Sequence, residues 1–197
     1  MKKIEVDDVY PLAEYEKVRE AFRKEIIEQK KKRRVQVGPY VSLTFENRET
    51  LLFQIQEMLR AERIEAPEKI QEEVDVYNDL VPGPRELSAT LFIEITEEGK
   101  IKEVLDRLIG IDRGETLFLQ IGKKKKIPAR FETGRSTEEQ ISAVHFIRFK
   151  LDITTIETFR SERENFVVIE HPNYKERAAI SEETKELLLG DLDQGED

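Results

Sequence analysis

Residues 78–95 read Asn78-Asp79-Leu80-Val81-Pro82-Gly83-Pro84-Arg85-Glu86-Leu87-Ser88-Ala89-Thr90-Leu91-Phe92-Ile93-Glu94-Ile95, and the chain changes character inside them. Two prolines and a glycine make residues 78–84 a loop and the best internal boundary. Beyond it Ala89, Leu91, Ile93 and Ile95 recur every second residue, the period of a half-buried strand. Upstream the period is helical. Pro11 suits the first turn of a helix, and Leu12, Tyr15, Val18, Phe22 and Ile26 then recur at three and four residues. That helix closes in the cationic run at residues 30–34, which complements the negative end of the helix dipole. Val37-Gly38-Pro39 breaks it, and the alternation of residues 40–45 predicts a strand. Asn47 is a natural N-cap for a helix over residues 48–64, and Pro67 opens a shorter one carrying Ile70, Val74 and Tyr77.

Downstream of the loop, strands alternate with short helices. Ile101, Val104, Leu105 and Leu108 mark a helix stopped by Gly110, and Leu117, Leu119 and Ile121 mark a strand. Residues 127–132 form an edge strand, because Pro128 cannot donate to a ladder. Residues 143–151 are the longest strand, Thr154 and Glu157 form a capping-box pattern for a helix through Phe159, and residues 166–169 form a last strand. Ser181 caps a helix ending near Gly190, and the acidic tail 191–197 is expected to be disordered. The pattern predicts an α+β fold, a helical N-terminal part packed on a mixed or antiparallel sheet with a few short helices. One domain spans 1–190, helix-rich over 1–77 and strand-rich over 85–190.

Composition narrows the function. The 197 residues are 38% hydrophobic and 38% charged, and 33 cations against 42 anions leave a formal charge of −9. A net anion is not expected to bind nucleic acid or anionic lipid. The absence of cysteine removes disulfides, thiolate nucleophiles and cysteine-ligated iron–sulfur clusters. Nine glycines form no Gly-x-Gly-x-x-Gly and no phosphate-binding loop, so no nucleotide or flavin is expected. The start Met1-Lys2-Lys3-Ile4-Glu5 has no apolar stretch of a signal peptide, and no apolar run spans a bilayer. A soluble cytoplasmic protein is expected. The basic runs 30–34 and 123–126 read as a helix end and a solvated turn, with an anionic ligand or RNA as the alternative reading.

Six side chains stand where solvation alone does not explain them. On the helix over 48–64, Leu51, Leu52, Ile55, Met58 and Leu59 make one apolar stripe that includes Glu62. Phe53, Ala61 and Ile64 make a second with Glu57 between them, so both carboxylates are expected to be buried. Arg60, Arg63 or another arginine is the ordinary partner for them, and metal ligation or acid–base chemistry is the functional one. His145 alternates with Ala143, Ile147 and Phe149 on an apolar strand face, and His171 sits at a strand exit before Pro172. Glu46, just before the helix, and Glu94, on a strand face with Phe92, complete the set. Glu57, Glu62 and His145, with Glu46, Glu94 and His171 in reserve, would make a carboxylate–imidazole site for iron or manganese. No Glu-x-x-His pair of the di-iron kind is present.

The stretches Phe45-Glu46-Asn47-Arg48-Glu49-Thr50 with Gln54 through Ile64, Arg135-Ser136-Thr137 with Ser142 through Phe149, and His171-Pro172-Asn173-Tyr174 give the chain a resemblance. It resembles a family of uncharacterised prokaryotic proteins known only as a domain of unknown function. The family carries no activity across. The resemblance implies a context, since relatives are encoded beside rubrerythrin-like proteins and an iron–sulfur oxidoreductase related to heterodisulfide reductases. Three roles follow as expectations. The first is an iron- or manganese-binding accessory protein of a redox or oxidative-stress system. The second is a non-catalytic acidic adaptor docking on a partner iron–sulfur or di-iron redox enzyme, and the third is an enzyme with a Glu57 or His145 general base.

Overall fold

Among the described residues, 1–134, 136–137 and 140–194 of the computed structural model, six α-helices and nine β-strands form. In chain order they are α1 (Leu12–Lys32), β1 (Arg34–Val37), β2 (Val41–Glu46), α2 (Arg48–Glu62), α3 (Pro67–Asn78), β3 (Glu86–Ile93), α4 (Ile101–Leu108) and β4 (Leu117–Ile121). There follow β5 (Lys125–Pro128), β6 (Arg130–Phe131), β7 (Val144–Lys150), α5 (Ile153–Ser161), β8 (Asn165–His171), β9 (Tyr174–Ala179) and α6 (Glu182–Asp193). The fold is α+β, with two antiparallel sheets in the orders β1-β2-β3-β7-β6 and β5-β4-β8-β9. Arg135, from one of the resemblance stretches, and residues 195–197 of the expected tail lie outside the described residues. No described helix is long and apolar enough to cross a membrane.

Strand alternation divides the five-stranded sheet into two unlike faces. Val41, Leu43 and Phe45 of β2, Leu87, Ala89, Leu91 and Ile93 of β3, and Ile147 and Phe149 of β7 enter the main core. Leu117, Leu119 and Ile121 of β4 and Val167 and Ile169 of β8 meet them from the four-stranded sheet. The opposite face of the five-stranded sheet carries Ser42, Thr44, Glu46, Ser88 and Thr90, all buried. It faces the helical layer, where Phe146 of β7 packs against a second core of Leu51, Ile55 and Leu59 of α2 and Val74 of α3. A polar strand face can be covered because its hydroxyls find acceptors on the spot.

The sheets meet at both edges. Ala129 alone separates β5 from β6, so the chain crosses from one sheet to the other in a single residue, whose N–H donates to the Leu117 carbonyl at 2.8 Å. At the other edge, Tyr174 of β9 donates its hydroxyl to the Val37 carbonyl of β1 at 2.7 Å and accepts from the Tyr40 N–H at 3.2 Å. Gly38, at φ +72°, permits this approach, because a Cβ there would lie 2.4 Å from Tyr174 Oη and 2.5 Å from Glu176 Cγ.

Four local expectations change. The chain leaves α1 at Arg33 and enters β1, so the end of the basic run belongs to a strand. Tyr174–Ala179, six residues with alternating charge, form β9. Asp152 caps α5, its carboxylate accepting from the Thr155 N–H at 2.6 Å, in place of the Thr154–Glu157 box. The acidic tail does not begin at 191, because α6 continues to Asp193 with Asp191 and Leu192 buried. Asp191 forms a two-bonded pair with Arg33, at 2.5 and 3.0 Å, and both side chains are about nineteen parts in twenty buried. That pair holds α6 against the end of α1.

Candidate functional site

The six sequence-nominated side chains do not converge. Helix α2, which carries both Glu57 and Glu62, covers one face of the five-stranded sheet, whereas His145 points to the other, in step with Ile147 and Phe149. The sheet itself separates them. Glu57 takes the arginine its burial called for, but from α1. Arg19 donates from Nε at 2.8 Å and from Nη2 at 2.7 Å, and the Tyr15 hydroxyl donates at 2.7 Å. The Arg19 hydrogen bonds outweigh desolvation and hold the Glu57 carboxyl below its ordinary range. Glu62 is exposed rather than buried. It is the last residue of α2, where Arg63 turns left-handed at φ 54°, so its stripe position lies past the packed part of the helix.

The others are also spent within the fold. Glu46 is buried and accepts from the hydroxyls of Thr50 at 2.5 Å and Thr90 at 2.6 Å, with Lys30 Nζ 3.9 Å away. Glu94, just past the end of β3, accepts from Ser42 Oγ of β2 at 2.6 Å and from Arg34. Desolvation would raise its pKa, but those two hydrogen bonds leave it lowered. His145 donates from Nε2 to the Ser142 carbonyl at 2.8 Å and meets the Phe131 ring edge-on at 5.8 Å. Among the described residues, no group of three or more histidine, aspartate or glutamate side chains is placed to hold a metal ion.

His171 stands behind a concavity without lining it. It ends the inward row of β8 and is 4% exposed. Nε2 donates to the Ile109 carbonyl at 3.1 Å, just past α4, and Nδ1 accepts from the Asn173 N–H at 3.3 Å, in the β8–β9 turn. The imidazole therefore fastens that turn to the end of α4. The same turn holds Arg107 of α4, whose Nε donates to the Asn173 carbonyl at 2.7 Å. Arg107, Pro172 and Asn173, with Pro39 and Tyr40 of the β1–β2 turn and Lys175 of β9, line a cleft of about 490 Å³. Tyr40 leans on Tyr174, ring centroids 6.4 Å apart. Sequence reasoning missed Arg107, Tyr40 and Lys175, which share no periodicity. Pro172, Asn173 and Tyr174, from one of the resemblance stretches, form one wall.

A larger cleft, about 650 Å³, opens between α1, the start of α2 and α6. Its side-chain cations are already matched. Arg33 holds Asp191, Arg48 holds Asp8, Lys32 holds Glu183 at 2.8 Å, and Gln29 donates to Glu49 at 2.7 Å. The basic run 30–34 is spent in the same way, each cation lying beside a carboxylate. In the run 123–126, Lys126 pairs with Glu170 at 2.5 Å and lies 5.3 Å from the centre of the Phe118 ring.

A solved structure with a closely similar fold is a crystal structure of a novel protein of unknown function from Burkholderia pseudomallei K96243. It is 34% identical with a TM-score of 0.89, over 97% of this chain and 100% of that one. A search of curated proteins finds no match. The model of the family described as protein of unknown function (DUF3501) matches residues 3–192, nearly the whole length, and the chain belongs to that family.

Proposed function

We propose that this protein is a non-catalytic acidic adaptor that docks on a partner redox enzyme, an iron–sulfur or di-iron protein of the kind the family resemblance implied. The observation that carries the reading is how the nominated chemistry is used. Glu46, Glu57, Glu94, His145 and His171 each serve a contact inside the fold. A general base works best with a pKa near the working pH, and Glu57 is shifted the other way by Arg19. An iron- or manganese-binding accessory role would need a ligand set other than Glu57, Glu62 and His145. What the molecule offers a partner is charge, 42 carboxylates against 33 cations. Complementary fields of that kind speed encounter and set orientation, and they weaken as salt screens them.

The test is direct association. The purified chain is titrated with a rubrerythrin-like protein and with a heterodisulfide-reductase-related oxidoreductase from the same genome, at low and at physiological ionic strength. A complex with either enzyme whose affinity falls steeply with salt supports the reading. No complex at low salt with either enzyme overturns it.

A further inference from the structure

We propose that the cleft between the β1–β2 turn, α4 and the β8–β9 turn binds a small oxyanion, a carboxylate or phosphate group, through Arg107, Tyr40 and Lys175. The inference is independent of the adaptor reading and concerns a different part of the surface chemistry. It begins with the way Arg107 is held. One edge of the guanidinium is fixed by the Nε bond to the Asn173 carbonyl, and the two Nη groups have no partner among the described residues. An arginine anchored in this way presents a pre-oriented fork, the geometry that takes a carboxylate or phosphate through two parallel hydrogen bonds. Because the anchor is backbone, and because His171 fastens that backbone to the end of α4, little ordering is left to be done when a ligand arrives.

Two further donors line the same cleft. Neither the Tyr40 hydroxyl nor the Lys175 ammonium has a hydrogen-bond or ion-pair partner among the described residues, and Tyr40 is positioned by its N–H bond to Tyr174 Oη and by the Tyr174 ring. Six other arginines are used differently. Arg19, Arg33, Arg34, Arg48, Arg60 and Arg148 each hold a carboxylate. On the walls of this cleft two cations face one carboxylate, Glu176, which lies over Gly38 beside Tyr174. A local excess of positive charge on a molecule of net charge −9 is the reverse of its background. The volume of about 490 Å³ falls in the range of small-molecule sites. A single cleft is not the basic stripe that nucleic acid requires.

Inorganic phosphate and succinate, titrated separately into the full chain at constant ionic strength, test the site through the backbone amide resonances of Tyr40 and Asn173. Saturating shifts with at least one probe are expected. Loss of two charge-assisted hydrogen bonds in Arg107→Gln should weaken that binding at least about tenfold. Glu176→Gln, which removes the neighbouring negative charge, should tighten it, an effect that damage to the fold would not produce. Saturation by phosphate alone assigns the ligand to the phosphate class, and saturation by succinate alone assigns it to the carboxylates. Saturation by both supports a general oxyanion site. Shifts that never saturate with either probe, or equal affinities in the original chain and both variants, overturn the proposal.

Discussion

Glu57 and Asp191 each receive two hydrogen bonds from one arginine, and their pKa values move in opposite directions. Arg19 lowers Glu57, since its hydrogen bonds exceed the desolvation of a side chain still 28% exposed. Asp191 is 5% exposed in its side chain, and there desolvation exceeds what Arg33 returns, so its pKa is raised. The linkage follows with opposite signs. A lowered folded-state value means that Glu57 contributes stability above its unfolded pKa and loses it as pH falls through the folded one. A raised value means that Asp191 contributes most below its unfolded pKa and loses the contribution as pH rises through the folded one. Thermal unfolding of the original chain, Glu57→Gln and Asp191→Asn between pH 3 and 7 (about the range in which carboxylates titrate) should therefore show two opposed trends. On acidification the original chain should lose stability relative to Glu57→Gln and gain it relative to Asp191→Asn. Trends of the same sign would contradict the assigned causes. The magnitudes differ in kind as well. Breaking the buried Arg33–Asp191 pair from one side leaves a charge without its partner, which costs about 3–5 kcal/mol in comparable cases, whereas the Glu57 pair is partly screened by water.

At the scale of elements, the best test is the seam between β1 and β9, which depends on one residue without a side chain. Gly38→Ala would place a methyl group 2.4 Å from Tyr174 Oη and force a non-glycine residue to φ +72°. The backbone cost alone is about 1–3 kcal/mol, and either Tyr174 or the β1–β2 turn must then move. A lower denaturant midpoint is expected for Gly38→Ala and little change for Gly99→Ala, where a Cβ meets nothing within 4 Å. Equal effects would mean that the close approach carries no weight. The same seam shows what the sequence made legible. Helices and central strands were readable because their apolar residues repeat at 3.6 or 2, as in α2 and β3. Edge strands were not. Arg34-Val35-Gln36-Val37 is four residues long behind a basic run, and Tyr174-Lys175-Glu176-Arg177-Ala178-Ala179 buries only Tyr174, its first residue. An edge strand has one covered side and can spend its side chains on charge. The candidate cleft suffers doubly, being built from two turns, one helix and the start of an edge strand, at positions such as Tyr40, Arg107 and Lys175 that no periodicity links. Burial on a strand was legible for His145. That the sheet would stand between it and Glu57 was not, because a stripe tells which face is covered and not what covers it.

For the whole molecule the decisive fact is that the helix-rich segment is not self-contained. Its β1 and β2 lie in the same sheet as β3 and β7, and β2 pairs with β3 over six consecutive positions. Val41, Leu43 and Phe45 from the first half share one core with Ile147, Phe149, Val167 and Ile169 from the second. Unfolding should therefore be a single transition, coincident by far-ultraviolet dichroism and tyrosine fluorescence. The sharper trial is at the C-terminus, where the helix capped by Ser181 closes the core. Leu188, Leu189 and Leu192 are buried in the same core as both sheets, and Asp191 neutralises the buried Arg33. Loss of one such leucine side chain costs about 2–5 kcal/mol, against a total stability of about 5–15 kcal/mol for a domain. A chain ending at Ser181 loses three at once and leaves the Arg33 guanidinium without its carboxylate. It should fail to reach the native dichroism spectrum at any temperature. A truncated chain that melts cooperatively would show instead that the two sheets hold without α6, and that the helix is a cover rather than part of the core.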